Sequence, residues 1–238
     1  MCRVSEPLRI ALVAEGPTDA IVIKGALRSI LGARSFVLIQ LQPEGSTAFG
    51  PLGTGWAGVY RWCKQSAARG DGQIDRDHLL FRNYDMVILH LDADVASHDY
   101  AQGAITPEQP ERALPCECPC PPASATTDAL RRVLLSWCGA STPPPKVVIC
   151  MPSKSTEAWV LAALFPRDRA VTAGLECFPA PESRLSQQRK SARISKSQRD
   201  YRRRESDITN AWPRLAAPGG LGEAARFQRD FLAVKVFP

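Results

Sequence analysis

Three short apolar runs in this chain each stop at an acidic residue, and that repetition limits the fold more than any other feature. Residues 8–14 run into Glu15-Gly16, with Asp19 four positions after the glutamate. Residues 86–91 run into Asp92-Ala93-Asp94, and residues 146–151 lead into Pro152-Ser153-Lys154-Ser155-Thr156-Glu157. Apolar runs this short, partly β-branched and bounded by charges, read as buried strands. A further strand is expected over 36–41. Helical spacing fills the gaps: from Pro17 through Ile21, Leu27 and Leu31 to Gly32, from Val59 to about Ala68, over 125–138 and over 156–165. The order β-α-β-α-β-α-β-α predicts an α/β fold with a mostly parallel sheet and helices on both faces.

In such a sheet the side chains at the carboxyl ends of the strands meet in one crevice. Carboxylates gathered there repel one another unless cations sit between them. Oxygen-only ligands suit a hard ion such as Mg²⁺ or Mn²⁺. Asp92 and Asp94 lie two apart, so at a strand end they share a side. Acids directly after Met86-Val87-Ile88-Leu89 occupy a costly, half-buried place. The structural alternative has Asp92 capping the next turn and Asp94 solvated. Glu15, beside a glycine that lets backbone approach closely, is a candidate base or ligand, and Asp19, one turn along, a further ligand. Both also read as acids at the positive end of a helix. Ser155 and Glu157 likewise read as a cap and a first-turn acid, or as site residues by their place after a strand.

The net charge is +6, and its placement matters more than its size. Arg184, Arg189, Lys190, Arg193, Lys196, Arg199, Arg202, Arg203 and Arg204 face one acid in the same stretch, Asp200, so this segment carries +8 and the remainder of the chain −2. A slightly acidic body with one basic stripe suits a polyanion such as DNA or RNA. A solvated helix face or a disordered arm is the alternative. Residues 186–204 are expected as a basic helix and 221–234 as a closing amphipathic one. No apolar stretch approaches the roughly 20 residues of a membrane helix, and the start of the chain, with Arg3, Glu6 and Arg9, does not read as a signal peptide. The expectation is a soluble, cytoplasmic protein with no membrane partner. Eight cysteines are too sparse for a disulfide scaffold and favour a reducing compartment.

Other chemistry-bearing residues carry less weight. Cys116-Glu117-Cys118-Pro119-Cys120 lacks the two-residue gap of zinc knuckles, and no second pair follows. His78, His90 and His98 have no ligand spacing, and His90, inside a strand, reads as a core or supporting residue. Gly50-Pro51-Leu52-Gly53-Thr54-Gly55 lacks the Gly-Lys-Ser/Thr ending of a phosphate loop. Trp62 and Trp159 fit apolar helix faces. Residues 96–123 form a long Pro-rich insertion without periodicity, of the kind that is functional or partly disordered.

Glu15-Gly16 after the first strand and Asp92-Ala93-Asp94 after the third resemble the paired motifs of the TOPRIM family. Ser155-Thr156-Glu157 is similar to the Ser-x-Glu motif of the TOPRIM domain in overcoming-lysogenisation-defect type nucleases, and stand-alone bacterial TOPRIM-like proteins are similar as well. The likeness covers residues 8–165, with a longer gap, 77 residues from Glu15 to Asp92, than compact members have. It implies a TOPRIM/Rossmann-like domain over 1–166 carrying the 96–123 insertion. Residues 167–238 are then a basic, mainly helical extension packed on the same domain.

The resemblance further implies Mg²⁺- or Mn²⁺-dependent phosphodiester hydrolysis of nucleic acid, in the setting of bacterial phage defence. Glu15 would be general acid or base and ligand, and Asp92, Asp94 and Glu157 would hold metal. Two ions about 4 Å apart would stabilise the attacking and leaving oxygens. Gly16, Ser155 and Lys154 would support the site. These nucleases also use a lysine late in the domain; Lys196 is the candidate here, with Lys154 as its substitute. Arg189, Lys190, Arg193, Arg199, Arg202, Arg203 and Arg204 would contact phosphates. The chain has no Walker sequence, so ATP control would require a separately encoded ATPase as partner, and a homodimer is one candidate assembly. A non-catalytic module that binds nucleic acid or a partner protein stays open beside the nuclease reading.

Overall fold

The structure, a computed structural model, describes residues 6–44, 52–106, 113–188 and 193–234. Four strands form one sheet: β1 (Leu8–Val13), β2 (Phe36–Gln42), β3 (Met86–His90) and β4 (Val147–Cys150). All pair in parallel, in the order β2-β1-β3-β4. The chain leaves β1 toward one edge to form β2, then crosses back over β1 to form β3. A crevice opens where the order reverses, beyond the carboxyl ends of β1 and β3. Val13 pairs with Leu89, so Glu15 and Asp92 follow neighbouring strand ends.

The helices are α1 (Pro17–Leu31), α2 (Gly55–Arg69), α3 (His78–Asn83), α4 (Ala123–Trp137), α5 (Thr156–Leu164), α6 (Arg169–Thr172), α7 (Pro181–Ser186), α8 (Gln198–Leu215) and α9 (Gly222–Leu232). Strand side chains alternate between two faces. Ile10, Leu12, Met86, Ile88, Val148 and Cys150 pack with apolar residues of α1, α5, α8 and α9. Ala11, Val13, Val87, Leu89, Val147 and Ile149 pack with those of α2 and α4. The sheet is therefore covered on both sides, as the alternation of elements predicts. His90 follows Met86 and Ile88 on the first face.

The chain after α5 completes the first of these layers. α8 lies along α1 and α5, and it comes close because residue 25 is glycine. A Cβ there would sit 3.1 Å from Glu205 O and 3.2 Å from the Ile208 side chain. The Thr209 hydroxyl donates to Gly25 O at 2.9 Å, and Arg28 pairs with Glu205 at 2.9 Å. Trp159, Trp212 and Phe227 join α5, α8 and α9 in one aromatic cluster.

Two expectations need correction. The basic stretch 186–204 is not one helix. α7 ends at Ser186, residues 193–197 are not helical, and α8 begins at Gln198 and runs on past Arg204 to Leu215. The restart is set by a cap: Ser197 accepts the Asp200 N–H, which satisfies a donor that a helix start leaves open. Arg189 and Lys190 lie outside the described residues. The second correction concerns cysteine. Its sparse count gives no reason to expect a disulfide, yet Cys120 and Cys177 form one. The fold brings the insertion beside the segment before α7, with Cα atoms 5.6 Å apart, within the usual span for such a bond. The described parts of the insertion are also tied to the body, for Trp137 Nε1 donates to the Tyr100 hydroxyl at 2.9 Å. Among the described residues no helix is long and apolar enough to cross a membrane.

Candidate metal centre

The site is assembled from the segments that follow β1, β3 and β4. Glu15 Oε1 accepts the Asp92 N–H at 2.7 Å, and Glu15 O accepts the Gly55 N–H at 2.9 Å. The first strand end is thereby fixed to the third and to the start of α2. Asp19 serves two elements. Its Oδ2 accepts the Gly16 N–H at 2.9 Å at the start of α1, and its Oδ1 accepts the Thr156 hydroxyl at 2.8 Å. Asp92 Oδ1 accepts the Thr156 N–H at 3.1 Å, one of the open donors in the first turn of α5. Asp92 thus caps α5 rather than the turn that follows it. Past the strand ends, Ala93 N–H donates to Pro152 O at 3.2 Å and Asp94 N–H to Lys154 O at 3.1 Å. Those two bonds extend the β3–β4 pairing and hold the backbone that carries both aspartates.

Glu15, Asp92 and Asp94 each offer an oxygen within 4.8 Å of the others. Asp19, His90 and Asp92 do the same with one ligand atom apiece. Either set could hold a metal ion. A cleft of about 560 Å³ opens over them, lined by Glu15, Asp19, Asp92, Asp94, Lys196 and Gln198 among others. Pro17 and Thr18 of α1 and Gly55 of α2 line it too, so the positive ends of two helices face the same space.

Crowding and burial set the charge states. Burial first, then Asp92, pushes the Glu15 carboxyl well above the usual carboxylate range. Burial and Asp19 push Asp92 up to about 8, although His90 works the other way. Asp19 and Asp94 are raised as well, each chiefly by burial. Asp94 is nonetheless open to solvent at the cleft mouth. His90 responds in the opposite sense: burial opposes its charge, but Asp19 and Asp92 outweigh burial and raise it to about 9. Cation-free, the crowded acids bind protons more tightly than free carboxylates do, and a divalent ion would displace those protons.

A second tier lies behind the acids. Glu157, 1% exposed, accepts the Tyr201 hydroxyl at 2.6 Å on Oε1, and its Oε2 has no partner among the described residues. Lys196 Nζ lies 4.0 Å from Glu157 Oε1 and 2.9 Å from Glu182 Oε2. Burial works against the lysine charge, but Glu157 and Glu182 more than offset it and raise its pKa. The Tyr201 hydroxyl is pushed up by burial and by Glu157 and stays a neutral donor.

The structure therefore brings Glu15, Asp19, Asp92, Asp94 and Lys196 to one cleft, with Gly16 in its wall. Glu157 is not in either set of mutually close ligand atoms; it sits between Tyr201 and Lys196. Ser155 precedes α5 without a side-chain cap bond, and its buried hydroxyl has no partner among the described residues. Lys154 pairs with Glu117 of the insertion at 2.8 Å. Arg193, Arg199, Arg202 and Arg203 are exposed, Arg202 bonding Gln198 at 2.8 Å, and half-buried Arg204 pairs with Asp207 at 3.4 Å.

Sequence reasoning missed Thr156, Glu182 and Tyr201, and read His90 only as a core or supporting residue. For His90 a signal existed: residues 90, 92 and 94 share one parity after an apolar run. Tyr201 and Glu182 reach the site only through tertiary packing, and nothing local marks them. No family model matches this chain, and no curated protein or solved structure matches it either.

Proposed function

We propose that this protein is a Mg²⁺- or Mn²⁺-dependent nuclease of the TOPRIM type that hydrolyses phosphodiester bonds in DNA or RNA. The observation that carries the reading is the convergence of Glu15, Asp92 and Asp94 on a cleft that Lys196 also lines. A divalent ion held by those three carboxylates would stabilise charge on the phosphoryl oxygens. The remaining work falls to the chain itself. Lys196, kept charged by Glu157 and Glu182, supplies a fixed cation for the scissile phosphate. The amide ends of α1 and α2 favour an anion in the same space. Glu15 has one oxygen fixed by the Asp92 amide, which leaves the other to hold the ion or to exchange a proton with the attacking water or the leaving oxygen. Exposed Arg193, Arg199, Arg202 and Arg203 flank Lys196 and Gln198 in sequence and would follow a nucleic-acid backbone without reading sequence. A role in bacterial phage defence and a separately encoded ATPase belong to the same proposal and rest on the TOPRIM resemblance; a cytoplasmic setting and a homodimeric assembly are further expectations carried from the sequence.

The test is incubation with single- and double-stranded DNA and RNA under Mg²⁺, Mn²⁺ or EDTA. Wild type should cleave at least one of these with an ion and none with EDTA. Asp94→Asn and Lys196→Ala should each lose about 100-fold or more, the scale of removing one charge-stabilising group. Cleavage that persists in EDTA, or that both variants retain in full, would defeat the reading. The exposed arginines outside the cleft favour a second reading, a non-catalytic binding module. Tight nucleic-acid binding with no cleavage under any ion would select it.

A further inference from the structure

His90 is fully buried on the face of β3 that looks toward α1 and α5. Neither ring nitrogen has a hydrogen-bond partner among the described residues. Nε2 lies 3.2 Å from Asp92 Oδ1, a close approach without hydrogen-bond alignment. Its surroundings are carboxylates: a ligand atom of the ring, one of Asp19 and one of Asp92 all lie within 4.8 Å of one another. A polar group left unsatisfied in a core costs about 1–3 kcal/mol. An imidazole with an unpartnered Nδ1 and an unaligned Nε2, buried beside two acids that line the cleft, is poorly explained as packing.

We propose that His90 is a metal ligand, and that Asp19, His90 and Asp92 form a nitrogen-bearing site for a first-row transition ion, beside the all-oxygen site of Glu15, Asp92 and Asp94 and sharing Asp92 with it. The donor sets separate the two by chemistry. Mg²⁺ demands oxygen ligands and keeps its waters. Imidazole suits transition ions, and Mn²⁺ accepts both nitrogen and carboxylate oxygen. The cleft would then discriminate between ions, with Mn²⁺ filling both places and Mg²⁺ the oxygen site alone. Both readings require that the cleft hold cations, but this one does not require cleavage.

The probe is Mn²⁺ added to the purified full chain, read by stoichiometry and by pulsed electron paramagnetic resonance for coupling to ¹⁴N. Wild type should bind two ions, one of which Mg²⁺ does not displace, and should show nitrogen coupling. His90→Gln should lose the coupling and weaken the Mg²⁺-resistant ion by at least about 10-fold. The chain has three histidines, and His98 also lines the cleft. A His78→Gln/His98→Gln double variant, which leaves His90 alone, should keep the signal and decides the matter even where His90→Gln fails to fold. Asp94→Asn should keep the coupling while losing cleavage, so failure of the nuclease reading and failure of this one are distinct. Absence of nitrogen coupling in wild type at saturating Mn²⁺, or its loss in the double variant, overturns the proposal, as does unchanged Mn²⁺ binding by folded His90→Gln.

Discussion

Asp92→Asn should make the protein more stable without metal and lose that advantage with it. Asparagine keeps the oxygen that accepts the Thr156 N–H and removes the charge. That charge is expensive where it sits, because burial and Asp19 carry the carboxyl up to about 8, whereas an aspartate in an unfolded chain sits near ~3.9. A group whose folded pKa exceeds its unfolded one loses stability as pH rises between the two values. At pH 8 the gap corresponds to a ceiling on the order of 5 kcal/mol. Local relaxation and water entry reduce that cost, and a gain of about 1–3 kcal/mol is the expected outcome. For a chain of this length the gain raises the melting temperature by roughly 2–12 °C. The assay is thermal unfolding by circular dichroism in EDTA at pH 8, repeated near pH 4, where the difference should shrink toward zero. With Mn²⁺ the gap should close or reverse. Wild type gains about 2.7 kcal/mol when the ion is at 100 times its dissociation constant, and the variant gains little. A folded Asp92→Asn that melts below wild type in EDTA at pH 8, or a wild type indifferent to Mn²⁺, would refute the reasoning.

The metal-free protein should lose stability between about pH 4 and pH 9: Asp92 and His90 both bind protons more tightly when folded, with pKa values of about 8 and about 9 against ordinary values of 3.8 and 6.5. Denaturant melts across that range should show the loss, and saturating Mn²⁺ should flatten it. Tyr201→Phe removes the donor at 2.6 Å from Glu157 and leaves a buried carboxylate short of a partner. It should cost about 1.5–3 kcal/mol, seen as a melting temperature lower by roughly 3–12 °C. Arg199→Ala, Arg202→Ala and Arg203→Ala together should weaken binding to DNA and RNA alike and reduce the slope of log affinity against log salt by about 2–3; an unchanged slope would remove α8 from the nucleic-acid path.

The sheet and the acids were legible in sequence for the same reason. A run such as Met86-Val87-Ile88-Leu89 can only be buried, and an acid placed straight after it must lie at a strand end. The parallel sheet with helices on both faces followed from the alternation of elements, and the reversal of strand order supplied the crevice. What stayed hidden depends on contacts between distant segments. Gly25 looks like an ordinary helix glycine until α8 is laid against it. Tyr201 lies in a stretch whose charge pattern suggested a polyanion-binding stripe, and Glu182 just before it, yet they hold Glu157 and Lys196. The basic stretch misled for a related reason, since charge density says nothing of where a serine cap restarts the helix. Cys120 and Cys177 are 57 residues apart, a pairing no spacing rule supplies.

Anomalous diffraction from crystals of the full chain soaked in Mn²⁺ tests most directly whether these carboxylates gather around divalent ions. A peak roughly 2.0–2.3 Å from oxygens of Glu15, Asp92 and Asp94 is the predicted result. A cleft with no peak at millimolar Mn²⁺, with ions only on scattered surface carboxylates, would contradict it.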